Sequence, residues 1–424
     1  MSQAPDHPRD PLAWNLAIAL AFLVLAAIRL TIPSKPFFDE VHYLPAARTL
    51  MALSRPVNVE HPLLGKELIG LGLRLLGDNP LGWRIMPLLF GTLGLFAAMR
   101  ALWFASCSRF ASIAGGLLLA SDFMWFVMSR IAMLDVFMAS LVLVALWAFA
   151  GALRENETGR RRLAIAGMAL GLAMAAKWSA VPLAVLPGIA FAAVRLRESG
   201  WRGFTSGRGA PVAGITIWEA ALWLGLVPLA IYALTFVPAM FYAHDPLAPT
   251  GLVALHREMI HLQDSVVKPH PYQSVWYQWI VDWRAIWFLY ENVDGAQRGI
   301  LLVGNPLTML LGLLALVWAG VYGFGEGRRD AAALVILYLV SLGAWILAGK
   351  PVQFYYHYLL PGTFLMGMLA LALDSLWRSG WRKIALAVLA ASLALFAGFY
   401  PILSAARLAS PQSFAHWMWL DSWR

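Results

Sequence analysis

Long apolar blocks, set apart by short charged punctuation, run through almost the whole of this chain. They lie near residues 12–32, 83–104, 110–128, 132–152, 163–177, 180–195, 215–240, 300–321, 331–349, 355–374 and 384–403. A helix crossing a bilayer needs roughly 20 apolar residues, so the pattern predicts an all-α bundle with about 11 transmembrane helices. The two blocks at 163–195 read equally as one hairpin kinked around Pro182. Two long segments break the rhythm, about 33–82 and 241–299. In the first, PFFDEVHYLPAARTLM predicts an amphipathic helix with Phe38, Tyr43, Ala46, Ala47 and Leu50 near one apolar face. LGKELIGLGLRLLG predicts a second helix, lying at the membrane interface or dipping into it. The other segment is dense in His, Trp and Tyr, a composition typical of an interfacial belt or of the wall of a sugar pocket.

The charges orient this pattern. Arg109, Arg154 with Arg160–Arg162, the arginines at 195, 197, 202 and 208, Arg328 with Arg329, and Arg378, Arg382 and Lys383 fall on alternate loops of one side. Positive loops stay inside, which predicts a plasma (inner) membrane protein with a cytoplasmic N-terminus and an outer C-terminus. Asp39-Glu40, the Arg130–Asp135 turn, Lys177, the segment 241–299 and Lys350 then share the outer face.

Composition agrees, with 60% of the 424 residues hydrophobic and 13% charged. Such a chain cannot hide its apolar surface in water. The net charge of +9 is spread between apolar blocks rather than gathered in a stripe, which argues against nucleic acid. A single cysteine, Cys107, excludes an internal disulfide and a cysteine zinc site. No cleavable signal is evident, no repeat or low-complexity linker divides the chain, and residues 1–424 read as one domain.

Two adjacent carboxylates at the foot of a membrane helix are costly and ask for a reason. Water-facing anchorage is one. Chemistry is the other: transfer of a group from a lipid phosphate needs a carboxylate base for the acceptor hydroxyl and cations for the departing phosphate. Asp39 fits the base, and Arg130, Lys350 and His357 are candidates for the phosphate. A one-step displacement would invert the transferred sugar carbon. Each candidate has a plainer role as well: Lys66 as a snorkelling lysine, His61 as a helix cap, Arg130 and His357 as interface residues, Lys177 as the mark of an outer turn. His256 and His261 lie five apart and no HExxH occurs, so no metal site is argued, although a metal bridging Asp39 to distant groups stays open.

FFDEVHY, HPLLGKELIGLG, SRIAMLDVFMAS, AAKWSAVP, KPHPYQSVWYQW and KPVQFYYHYLLP follow one another from about residue 37 to 362. In this order they resemble the protein O-mannosyltransferase family of GT-C glycosyltransferases, in its bacterial, phospholipid carrier-dependent form. The resemblance implies a catalytic pair, Asp39 as the catalytic carboxylate and Glu40 as its acceptor- or structure-ordering neighbour, with Arg130 near the lipid phosphate. It implies a structural role for Asp135 and a substrate-proximal outer segment with His270, Tyr272 and Trp276; His61, Lys66, Asp135, Gln353 and Tyr356 are further candidates near substrate. The donor implied is a polyprenyl- or dolichyl-phosphate sugar, most often mannose. The acceptor would be a Ser or Thr of a translocated protein, with translocation machinery a candidate partner. Leu63 stands where the family usually has a second proline, and Ile280-Val281 where a proline often follows; there is no room for the large β-trefoil domain of eukaryotic members. Two other readings remain: the same donor chemistry on a lipid or glycan acceptor, as in aminoarabinose transferases, and a transporter or lipid flippase. The second predicts paired repeats and broken helices at matching positions in two halves, which the sequence lacks.

Overall fold

A computed structural model describes residues 9–265 and 267–424. In chain order the helices are α1 (Leu12–Ala27), α2 (Glu40–Met51), α3 (Leu64–Leu76), α4 (Pro80–Ser106), α5 (Arg109–Ala120), α6 (Phe123–Met128), α7 (Leu134–Arg154) and α8 (Gly159–Ala176). Then come α9 (Val181–Ala184), α10 (Leu186–Ser199), α11 (Ile217–Ala221), α12 (Val227–Leu234), α13 (Leu252–Asp264) and α14 (Trp276–Ile280). Strands β1 (Ile286–Val293) and β2 (Ala296–Leu302) precede α15 (Pro306–Gly320), α16 (Arg329–Leu347), α17 (Leu359–Arg378) and α18 (Arg382–Leu403).

Local sequence explains the helix starts. Asn79 caps α4 by accepting from the Leu81 and Gly82 amides, with Pro80 at the first helical position. Ser108 and Asp122 cap α5 and α6 in the same way. Asp122 therefore splits the apolar block 110–128 into two helices. The first ten residues of α7 are buried on every side, because α4 and α8 pack along it. Close backbone approach sets α3 against α4: a Cβ on Gly72 would lie 2.3 Å from the Gly82 carbonyl oxygen.

Among the described residues, eight helical segments are long and apolar enough to cross a membrane. They are Pro80–Ser106, Leu134–Arg154, Trp178–Phe204, Ile217–Phe241, Pro306–Gly325, Arg329–Leu347, Tyr355–Arg378 and Arg382–Leu403. The expected number is about 11; α1 and α5 are apolar but shorter, and α8 opens on Arg160–Arg162. The expected block 300–321 also begins too early, since residues 300–302 belong to β2.

That strand is the exception to an all-helical chain. β1 and β2 pair antiparallel through a turn at Asp294-Gly295, both with positive φ, as a tight two-residue hairpin requires. The hairpin is tied to the segment leading into α2: Ser34 hydrogen-bonds to Asp294 and Lys35 pairs with Glu291 at 2.9 Å. Residues 404–424 cover it, with Trp287 Nε1 donating to the Trp423 carbonyl and Trp423 Nε1 to that of Asp282.

Candidate functional site

Asp39 and Glu40 are neighbours with opposite surroundings. The Glu40 side chain is fully buried and held by Arg84 in a bidentate pair, Nε to Oε1 at 2.8 Å and Nη2 to Oε2 at 2.9 Å. Its oxygens also accept from the Ala132 amide at 3.1 Å and the Phe37 amide at 3.3 Å. Arg84 spends its other donors on the carbonyls of Leu30, Pro33 and Lys35. Glu40 thus ties α1's exit, α2, α4 and the turn before α7 into one knot, and its lone pairs are occupied. These contacts make Glu40 a residue that fixes the backbone beside Asp39.

Asp39 itself is half-buried, and among the described residues no donor is hydrogen-bonded to its carboxylate. Burial pushes the carboxyl up to about 6, against the pull of Lys177 and with added push from Asp135. Two lysines come from helix ends close by. Lys177, just after α8, donates to both oxygens of Asp135 at 2.7 and 2.9 Å and stands 5.2 Å over the Tyr356 ring. Asp135 is therefore partnered by Lys177, a residue that looks in sequence like the mark of an outer turn. Lys350, in the loop after α16, is lowered to about 8 by burial and by Lys177.

Lys177, Lys350 and His61 line a cavity of about 200 Å³, with Trp178, Pro182 and Trp345 as its apolar wall. Burial and the nearby lysines hold the His61 imidazole well below its usual range. His357 stacks on Trp345 at 3.7 Å, and its Nδ1 accepts from the Phe354 amide. On the other flank of α2's start, Lys35, Phe38, Val41, Tyr272, Phe288 and others line a cavity of about 580 Å³. Asp39 follows Phe38 of that wall in sequence and is close enough to Lys177 and Lys350 of the chamber to feel their charges.

Other expected residues lie elsewhere or do other things. Arg130 is not turned to this site: its guanidinium donates to the carbonyls of Ala26, Ile28 and Arg29. These carbonyls lie at and just past the end of α1, so Arg130 caps that helix from a neighbouring turn. Lys66 does not snorkel; it is buried, and its Nζ donates to the Asn58 and His61 carbonyls at 2.7 and 2.8 Å. Gln353 Nε2 bonds the Trp345 carbonyl at 2.9 Å, while its own carbonyl receives the Ser274 amide. Tyr356 is buried and faces Phe38 edge-on at 6.2 Å. His270 is exposed and Tyr272 and Trp276 half-buried. The buried aromatic of that motif is Trp279, bonded to Ser274 Oγ at 2.8 Å and edge-on to Trp345 and His357. Its place three residues after Trp276, on the inner side of α14, is the signal that could have found it. No cluster of three or more His, Cys, Asp or Glu suited to a metal occurs among the described residues.

Comparison with known proteins bears on the whole chain. Residues 60–204 match the model of the dolichyl-phosphate-mannose-protein mannosyltransferases, and residues 249–423 that of the C-terminal four-transmembrane region of protein O-mannosyltransferase. The polyprenol-phosphate-mannose–protein mannosyltransferase of Mycobacterium tuberculosis is 28% identical, with 96% of this chain and 90% of that protein aligned. Its counterpart from Mycolicibacterium smegmatis is 26% identical over 92% and 88%. The fold is that of the Saccharomyces cerevisiae Pmt1–Pmt2 complex bound to its sugar donor, with a TM-score of 0.76 at 14% identity, covering 100% of this chain and 96% of that one. ArnT from Cupriavidus metallidurans is less similar, with a TM-score of 0.57 at 19% identity, covering 89% and 63%. Motifs, fold and relatives agree: this chain belongs to the protein O-mannosyltransferase family of GT-C glycosyltransferases.

Proposed function

We propose that the chain moves a mannosyl group from a polyprenyl-phosphate carrier to a Ser or Thr hydroxyl of a protein, with Asp39 as the base. The observation that carries this reading is the unbonded Asp39 carboxylate beside two lysines, held in place by a Glu40–Arg84 pair that takes no part in the chemistry. The acceptor oxygen bonds to the sugar C1 as the C1–O bond to phosphate breaks, and the acceptor proton passes to Asp39. The bonding pair leaves with the carrier phosphate, whose charge Lys350 and Lys177 offset. His357 and Trp345 border the chamber on the donor side. The acceptor enters along Phe38, Val41 and Tyr272, and attack from that flank inverts C1. Counting α1, α5 with α6, and α8 as crossings beside the eight long spans gives eleven, a reading that supports an outer Asp39 and inner arginine-rich ends.

Purified protein given radiolabelled polyprenyl-phosphate mannose, with a Ser/Thr-rich peptide or a lipid extract, tests this reading. Label in the peptide, absent with Asp39→Asn, is the expected result. Label in the lipid alone moves the acceptor to a different class, and an Asp39→Asn enzyme that keeps its rate removes Asp39 as base.

A further inference from the structure

The membrane face opposite Asp39 is also built to receive something. A groove of about 340 Å³ opens between α4, α5, α7, α16 and α17, walled by side chains such as Leu102, Leu119, Leu146, Leu337 and Phe364. Its volume is in the range of ligand sites. Arg154, at the end of α7, and Arg329, at the start of α16, stand at its mouth with Asp330. A second cavity of about 440 Å³ continues outward, sharing Ala105, Arg329 and Asp330 and adding Arg328, Arg378 and Ser106. The 21 residues of α7 set this mouth about 30 Å from Asp135.

The charges there do not balance. Arg328 pairs with Asp330 at 2.7 Å and Arg378 with Asp374 at 2.9 Å. Arg154 touches the Cys107 thiol, and Arg329 is exposed without a carboxylate partner among the described residues. Basic residues at one end of a bundle ordinarily set only its orientation. Here two uncompensated guanidinium groups crown an apolar groove, a combination that fits an amphiphile with an anionic head.

We propose that this groove binds an anionic glycerophospholipid of that leaflet, its phosphate on Arg154 and Arg329 and an acyl chain between α4, α7 and α16. Guanidinium forks suit phosphate oxygens, and basic pockets between membrane helices favour such head groups. A choline head would bring a cation among four arginines. An inorganic phosphate would leave the groove unfilled. The lipid would brace α7 and α16, whose far ends carry Asp135 and present Lys350; its binding does not depend on the transfer reaction.

Native mass spectrometry of the purified full chain tests the proposal, with phosphatidylglycerol, phosphatidylcholine, undecaprenyl phosphate and inorganic phosphate as separate probes. Phosphatidylglycerol should be retained over phosphatidylcholine, and Arg154→Gln and Arg329→Gln should each lower its retention about fivefold. Ala333→Trp fills the groove from an exposed position while keeping every arginine, and should displace the lipid equally. Equal retention of phosphatidylcholine, or retention unchanged by all three variants, overturns the proposal. So does displacement of phosphatidylglycerol by undecaprenyl phosphate, which assigns the groove to the carrier, or by inorganic phosphate, which leaves only an ion site.

Discussion

The two long segments that interrupt the apolar blocks, residues 33–79 and 242–282, are built on different principles. In the first, buried charges are spent on architecture. Glu40 and Arg84 close a knot of four elements, Lys66 holds the 58–61 loop by its carbonyls, and Arg48 pairs with Asp78 at the rim. In the second, α13 buries only Met259, residues 267–271 are exposed, and the fixed points are few. Trp279 is one; Asp282, which accepts from Tyr355 and the Gly304 amide, is another. The carboxylate proposed to meet one carbon of one donor sits on the rigid segment. The pliant segment borders the side where a variable polypeptide would enter.

The sharpest way to break this contrast is to alter the adjacent acids separately. Asp39→Asn should lower turnover by about 10²–10⁴-fold and leave thermal stability unchanged, since its carboxylate holds nothing. Arg84→Met should cost about 3–5 kcal/mol of stability by leaving Glu40 in the interior without a cationic partner. Denaturation and turnover measured on both variants separate the roles. If Arg84→Met kept its stability while losing activity, the knot would be part of the reaction rather than its frame.

Next in size is a pair of cations. Lys350→Met should lower kcat/KM for the lipid donor by about 10–100-fold, the loss of one charge-assisted contact to phosphate. Arg130→Met should loosen the end of α1 and lower the melting temperature without raising donor KM. The reverse result would return the phosphate to Arg130.

The pH dependence sharpens the same assignment. Asp39 must be ionised to act, so kcat/KM should rise about tenfold per unit up to pH ~6, where burial sets its carboxyl. Lys350 must keep its proton to offset phosphate, so the rate should fall again above about 8. Lys350→Arg, charged throughout, should move the alkaline limb up and leave the acid limb in place. A flat profile between pH 5 and 9 would contradict both roles.

How far the sequence carries can be judged residue by residue. The apolar blocks, α2 and α3, and the gathering of Asp39, Lys177 and Lys350 on one face were all legible, because hydrophobic period and charge placement act locally. Partners were not. Glu40 meets Arg84 across 44 residues and Lys177 meets Asp135 across 42, distances that no spacing rule spans. Arg130 is a phosphate candidate by its charge and by the family resemblance; its use as a cap for α1 depends on packing. The hairpin does carry a local signal, Asp294-Gly295 between apolar runs, but residues 300–302 of its second strand are apolar enough to read as the start of the span at 300–321.

The smallest effects belong to the pliant segment. Tyr272 lines the wide cavity beside Phe38, while Trp276 is half-buried with Tyr277 edge-on at 5.6 Å. Neither anchors the fold as Trp279 does. Tyr272→Ala and Trp276→Ala should therefore shift stability by no more than about 0.5 kcal/mol. Aromatic contacts to an incoming peptide are worth enough to raise peptide KM about two- to tenfold on truncation, with donor KM unchanged. Trp279→Ala provides the contrast within the same segment, since it removes a buried ring and should cost about 3–5 kcal/mol. If Tyr272→Ala raised donor KM instead, the flank beside Phe38 would be the carrier's side, and the two cavities around Asp39 would exchange roles.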